Sequence, residues 1–161
     1  LLDRVLGEKS VATYMQEKFW TPLGCEFNAK WILDSEEHQN EKTYGGIVST
    51  ARDISRLGLV INNNGFWNGQ QILSRSDMEL ITTTPYNNTT YNYGLWTGKY
   101  NNDPYYYQAG LKGQLCISFP KHGLVITRLG HNTTKKIDLE DVAPDTQLYI
   151  KEALRIVDQL N

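Results

Sequence analysis

Residues 105–119 read Tyr105-Tyr106-Tyr107-Gln108-Ala109-Gly110-Leu111-Lys112-Gly113-Gln114-Leu115-Cys116-Ile117-Ser118-Phe119, and the fold turns on how this stretch is parsed. Tyr105, Tyr107 and Ala109 alternate with their neighbours, as do Leu115, Ile117 and Phe119, and a side-chain period of two marks strands with one covered face. Pro120-Lys121-His122-Gly123 then makes a four-residue turn. Beyond it Leu124 and Ile126 interleave with Val125, Thr127 and Leu129, so the last two strands form a hairpin. Upstream, Tyr91, Tyr93 and Leu95 alternate in the same way with Asn92, Gly94 and Trp96. The whole predicts an antiparallel meander of about three strands.

Outside the meander the period is close to four. Ser10 can cap a helix in which Val11, Met15 and Phe19 recur at helical steps, ending near Trp20 ahead of Pro22 and Gly24. Residues 25–46, with one apolar knot at Trp31-Ile32-Leu33, read as mostly loop with a short ordered segment. Thr50 and Asp53 form a capping-box-like start for a helix whose Ile54, Leu57, Gly58 and Ile61 share a face, and Asn62-Asn63-Asn64-Gly65 closes it. Ser74 and Asp77 open a shorter helix to about Thr82, with Met78 and Ile81 inward. After a polar stretch from His131 to Pro144, Asp145 can cap a final helix with Ile150, Ala153, Leu154 and Val157 as its buried stripe. Helices, then an antiparallel sheet, then a helix packed on it is an α+β arrangement with flanking helices.

A formal charge of -2 gives no electrostatic reason to expect nucleic acid or an anionic membrane surface as partner. No apolar run approaches the roughly 20 residues that span a bilayer, and the opening Leu1-Leu2-Asp3-Arg4-Val5-Leu6 lacks the layout of a signal peptide. Cys25 and Cys116 lack the paired spacing of a structural zinc site and read as small apolar residues in or near the core. His38, His122 and His131 form no metal-spaced set and read as solvated. The sequons at Asn87, Asn88 and Asn132 matter only in a glycosylating pathway. Trp96 and Tyr107 read as core or cleft wall.

Several stretches, in order, resemble the β-lactamase and penicillin-binding serine hydrolase family, particularly its class C β-lactamase, carboxylesterase and nylon-oligomer hydrolase branches. Thr21-Pro22-Leu23-Gly24 is similar to a proline-leucine-glycine step that follows a family helix. Tyr44-Gly45-Gly46-Ile47-Val48-Ser49-Thr50-Ala51-Arg52-Asp53 is similar to the glycine-glycine-x-x-serine-threonine-x-x-aspartate signature at the start of another. Asn68-Gly69-Gln70-Gln71-Ile72-Leu73-Ser74 resembles the segment ahead of the next helix. Gln108 to Gln114 falls where the lysine-threonine-glycine strand motif belongs. These matches cover nearly the whole chain, and the resemblance implies that residues 1–161 are the C-terminal part of a single, incomplete β-lactamase/transpeptidase-like domain. A free-standing α+β domain with no enzyme ancestry would have to produce the ordered matches by chance.

An acyl-transfer enzyme holds its developing oxyanion with preorganised donors, and a backbone amide on an edge strand can be one if the side chains leave room. Gly110 gives that room, and the amide of Leu111 is the expected donor. Without the resemblance, glycine in a strand reads as a bulge or bend near Gly110 and Gly113. Gln108, Ala109, Lys112, Gly113 and Tyr107 are the expected substrate-binding residues. The resemblance puts Gln108 at the lysine position and Ala109 at the threonine position, which removes the cation and hydroxyl that pair with a β-lactam carboxylate. The glycine-x-x-glycine-glutamine form is closer to the esterase and nylon-oligomer hydrolase branches. Lys112 shares the face of Gln108 and Gly110 in an undistorted strand but not across a bulge, and otherwise reads as a solvated margin lysine.

The family's nucleophile is a serine followed three residues later by lysine at a helix start. Ser118-Phe119-Pro120-Lys121 matches in letters but runs from a strand into a turn, with proline between the pair. Ser49-Thr50-Ala51-Arg52 carries arginine, which stays charged and cannot act as base. Tyr86-Asn87-Asn88 and Tyr100-Asn101-Asn102 match the tyrosine-x-asparagine box only in letters and read as surface loops.

The abrupt opening at Leu1 reads as the tail of an element begun earlier, and the nucleophile is expected upstream of it. The implied function is a serine hydrolase working through an acyl-enzyme on a small ester or amide. The implied cofactors are none and the implied compartment is periplasmic or extracytoplasmic. The alternative is an inactive family member that binds peptidoglycan or peptides. A sheet lacking its upstream strands exposes an edge, so self-association through that edge is expected.

Overall fold

Caps and turn residues define the helical elements of the computed structural model, which describes residues 2–83, 90–130 and 144–160. After a short helix α1 (Leu2–Leu6), the Ser10 hydroxyl accepts from Thr13 N at 3.1 Å and starts α2 (Val11–Met15). That helix widens into a π-helical turn over Gln16–Trp20 and stops at Gly24, whose φ is +69°. The Thr50 hydroxyl accepts from Asp53 N at 3.1 Å and starts α3 (Ala51–Asn62), which closes on Asn64 and Gly65, with φ of +52° and +83°. Ser74 caps α4 (Arg75–Thr82) by accepting from Asp77 N at 3.0 Å. The final helix, α5, spans Pro144–Leu160, so Asp145 stands in its first turn and is not the cap that its carboxylate suggested.

Four short strands form two small ladders that the alternation does not mark. β1 (Lys30–Trp31), in the stretch read as mostly loop, pairs antiparallel with β2 (Ile47–Val48), just beyond its end. β3 (Phe66–Trp67) pairs with β4 (Gln70–Gln71) across Asn68-Gly69, whose φ values of +50° and +79° are those of a tight hairpin turn.

Among the described residues the main sheet is antiparallel and has five strands in chain order: β5 (Tyr91–Asn92), β6 (Leu95–Tyr100), β7 (Asp103–Gly110), β8 (Gln114–Phe119) and β9 (Leu124–Arg128). The count exceeds the expected three: each of the other three alternating stretches forms a strand, and Tyr93 and Gly94, with φ of +46° and +86°, fold the 91–96 stretch back on itself so that it contributes to two.

Strand parity distributes the core between two faces. Tyr105, Tyr107, Leu115, Ile117 and Phe119 pack with Ile150 of α5 on one face, with Leu124, Ile126 and Leu154 around them. Each such fully buried side chain contributes about 1.5–3 kcal/mol of transfer free energy. Cys116, Ser118 and Val125 face α3 on the other side. At Gly58 the helix comes so close that a Cβ would lie 2.7 Å from Val125 Cγ1 and 3.0 Å from Ser118 Oγ. The Ser118 hydroxyl uses this approach to donate to the Gly58 carbonyl at 3.2 Å. Glycine at 58 is therefore what lets α3 lie on the sheet, and α4 adds Met78 to a smaller cluster with Ile61 and Leu95.

Candidate functional site

β7 is the middle strand of the sheet, not an edge, yet its last residues behave as one. Pairing with β6 ends at Trp96↔Tyr107, while pairing with β8 continues through Gln108↔Cys116, Ala109↔Leu115 and Gly110↔Gln114. Among the described residues, 108–110 thus have a partner strand on one side only. On the α3 face Gln108 lines a cleft of about 130 Å³ whose wall is otherwise mostly apolar, including Leu57 and Ile61 of α3, Ile81 of α4, and Leu95. Tyr93 and Gly94, in the β5–β6 turn, complete its rim.

The expected site residues separate by parity and by the turn. Gln108 faces the cleft. Tyr107 faces the other way: its ring lies in the α5-side core, 8% exposed and stacked on Trp96 with centroids 6.2 Å apart. Burial, with the neighbouring Tyr105 next, pushes its hydroxyl up to about 12. Tyr107 is core, as one of its two sequence readings had it. Ala109 is exposed. Gly110 is extended, and a Cβ on it would meet Gln114 Cβ at 3.1 Å, so the glycine also makes room for its cross-strand neighbour. Leu111, Lys112 and Gly113 form a one-turn connection to β8. Leu111 lies outside the ladder and is 89% exposed. Lys112, with φ of +61°, no longer follows the parity of Gln108 and Gly110, and Gly113 supplies the tight bend at φ of +81°.

The glycine-glycine-serine-threonine signature resolves into a buried anchor. Asp53 is fully buried and accepts from Glu26 N at 2.8 Å, Phe27 N at 3.2 Å, the Thr50 hydroxyl at 2.9 Å and Arg56 Nη1 at 2.7 Å. Burial alone would raise its pKa, but these donors outweigh it and hold the carboxyl below its ordinary value. Arg56 also reaches Glu26 Oε1 at 2.5 Å, so the loop after Gly24 is fastened to the first turns of α3. Beside this anchor burial and the Asp53 charge push the Cys25 thiol up to about 11, against the pull of Arg56. Burial raises Cys116 as well. Both cysteines are free, and neither environment favours the thiolate that nucleophilic chemistry needs.

The letter matches to the nucleophile and tyrosine boxes dissolve in the same way. Ser118 is spent on the Gly58 carbonyl, and Lys121 turns outward to Asp103 at 2.6 Å. Asn101 and Asn102, with φ of +49° and +68°, make the β6–β7 turn. Tyr86-Asn87-Asn88, His131 and the sequons at Asn87, Asn88 and Asn132 lie outside the described residues. His38 is exposed, and His122 Nε2 lies 3.0 Å from Asp103 Oδ2. Sequence reasoning passed over Tyr93 as a rim residue, although a glycine after it, inside an alternating run, is a turn signal.

A Beta-lactamase family model matches residues 1–148. The chain belongs to the Beta-lactamase family. Among solved structures it is similar to one described as a 6-aminohexanoate-dimer hydrolase from Bacillus anthracis, with 27% identity and a TM-score of 0.72. The match covers 98% of this chain and 40% of that one, so the chain spans about two fifths of the length of that structure. None of the curated proteins matches it. Family membership accounts for the order of the motifs from Thr21 to Gln114 and for the partial α+β domain. Among the described residues no helix is long and apolar enough to cross a membrane.

Proposed function

We propose that the whole protein is a serine hydrolase that cleaves a small ester or amide through an acyl-enzyme, with its nucleophilic serine and partner lysine on a segment preceding this chain. In this reading the present chain supplies one wall of the cleft and one oxyanion donor, the amide of Leu111. Gly110 keeps the approach open, and Gln108 is the polar group that meets substrate, with Ala109, Lys112 and Gly113 around it. The observation that carries the reading is that β7 outruns β6 beside the cleft, which leaves residues 108–110 an edge in the middle of a sheet. The Leu111 amide belongs to the peptide that directly follows Gly110, the last residue held by β8, so in this reading the ladder fixes the strand that carries the donor, as oxyanion stabilisation requires.

Gln108 and Ala109 in place of a cation and a hydroxyl favour esters and amides without the β-lactam carboxylate. The similar Bacillus anthracis structure, described as a 6-aminohexanoate-dimer hydrolase, is in keeping with that preference. A fluorophosphonate probe tests the division of labour. The whole protein is expected to label covalently and the isolated 161-residue chain to stay unlabelled. Labelling of the isolated chain would sink the assignment of the nucleophile to another segment. A whole protein that neither labels nor hydrolyses p-nitrophenyl esters, yet binds peptidoglycan fragments, would replace the reading by an inactive binding module.

The isolated chain is also proposed to self-associate. Among the described strands β9 stands at the end of the sheet order, and an edge strand presents a row of backbone groups to another chain. Light scattering of the dilute chain should give a mass above the monomer, and a monomer across the concentration range would count against it.

A further inference from the structure

We infer that Arg128 is a positioning residue for the Leu111 amide, acting through the carbonyl of Gly113. The inference rests on the hydrolase reading above, in which that amide holds the oxyanion. The turn from Leu111 to Gly113 is set in an uncommon shape, with Lys112 at φ of +61° followed by Gly113 at φ of +81°. A lysine has no local reason to prefer the left-handed region. Something outside the turn must hold it.

Arg128 does so from β9. It stands opposite Leu115 in the ladder, and its Nη1 donates to the Gly113 carbonyl at 2.6 Å. The guanidinium lies over Gly130, where a Cβ would come within 2.5 Å of Nη1 and 2.6 Å of Cζ, so a side chain at 130 would evict it. Its Cζ is 5.9 Å from the centroid of the Tyr149 ring on α5, a second support that favours a cation. Gln114 closes the arrangement: its Nε2 donates to the Gly130 carbonyl, and Gly130 N donates to its Oε1 at 3.2 Å. The end of β9, the first residue of β8 and a helix on the far face therefore converge on one turn.

The consequence for chemistry follows from geometry. A charge-assisted bond is stronger than a neutral one, and a planar guanidinium fixes direction as well as distance. Pinning the Gly113 carbonyl restricts rotation of the peptide planes between it and Leu111. A donor counts toward catalysis only if it is already aimed when the oxyanion forms, and a misplacement of about 1 Å costs on the order of 100-fold in rate.

The test uses the whole protein and p-nitrophenyl butyrate, with Arg128→Ala and Arg128→Lys compared against Lys121→Ala, which removes a cation from the opposite end of the sheet. Assays run below each variant's melting midpoint. Arg128→Ala should lower kcat about 10- to 100-fold with KM within about twofold, the signature of an interaction made in the transition state. Arg128→Lys, keeping one donor without the fork, should lose about three- to tenfold, and Lys121→Ala should keep the wild-type kcat. If Arg128→Ala does not fold, Arg128→Lys decides alone. A folded Arg128 variant with wild-type kcat, or equal losses in the Arg128 and Lys121 variants, overturns the positioning role while leaving the hydrolase reading intact. A wild-type protein with no turnover and no fluorophosphonate labelling defeats the hydrolase reading and this inference together.

Discussion

At one end of the five-stranded sheet the β6–β7 and β8–β9 turns meet through Asp103, which accepts from Lys121 at 2.6 Å and lies 3.0 Å from His122 Nε2. At the other end Asp53 accepts from two backbone amides, a hydroxyl and Arg56, and Arg128 reaches the Gly113 carbonyl. Both ends gather charge around a carboxylate, but Asp53 is fully buried whereas the Lys121 side chain is 63% exposed. Exposed pairs are screened and cost side-chain entropy, so they add little to stability. Buried ones are costly to break, because the partner left behind has no water to turn to. The end beside the cleft is thus the one built rigidly.

The largest effect that would sharpen this contrast is Asp53→Ala, expected to cost about 3–5 kcal/mol in urea unfolding because Arg56 and the Glu26 and Phe27 amides lose their common acceptor. A loss no greater than that of an exposed ion pair would erase the difference between the two ends. Gly58→Ala comes next, at about 1–3 kcal/mol by overpacking, since its Cβ would sit 2.7 Å from Val125 Cγ1. Thermal unfolding of that variant measures it directly, and an unchanged midpoint would mean that α3 can lift from the sheet without penalty.

Acid titration separates the ends without a large structural change. The folded pKa of Asp53 is lowered, so its contribution is fully present above the unfolded value of about 4 and is lost as pH falls through the folded value. Asp53→Asn should therefore flatten the acid limb of the stability curve. Asp103 is lowered too, first by its bond from Lys121 and then by His122. Asp103 is half-buried but its Lys121 partner is exposed, so the effect of Asp103→Asn is expected to be the smallest of the series, with a urea midpoint that overlaps wild type. A clear midpoint shift for Asp103→Asn would break the comparison.

Much of the fold could be read locally. Ser10, Thr50 and Ser74 cap the helices they were expected to cap, because a cap and its amide lie within one turn of each other. The β8–β9 hairpin was legible for the same reason, its turn being continuous with both strands. What escaped depends on partners far along the chain. Asp53 meets Glu26 and Phe27 across a whole loop, and β1 finds β2 beyond a stretch with no alternation. Tyr93-Gly94 looked like strand because a period-two run does not register a tight reversal.

The site was legible in part. Of residues 108–114, Gln108 lines the cleft with Leu57 and Ile61 of α3, but parity sends Tyr107 to the opposite core, and the turn takes Lys112 off the strand face. Arg128 and Gly130 carried no motif. Their relation to Gly113 exists only once β9 lies against β8.

The most direct test of the central claim is a crystal structure of the whole protein bearing a phenylboronic acid adduct on its nucleophile. A boronate oxygen about 2.7–3.1 Å from Leu111 N, with the phenyl group toward Gln108, is the expected result. An adduct whose oxygens are held elsewhere, with the Leu111 amide turned away from them, would contradict the account.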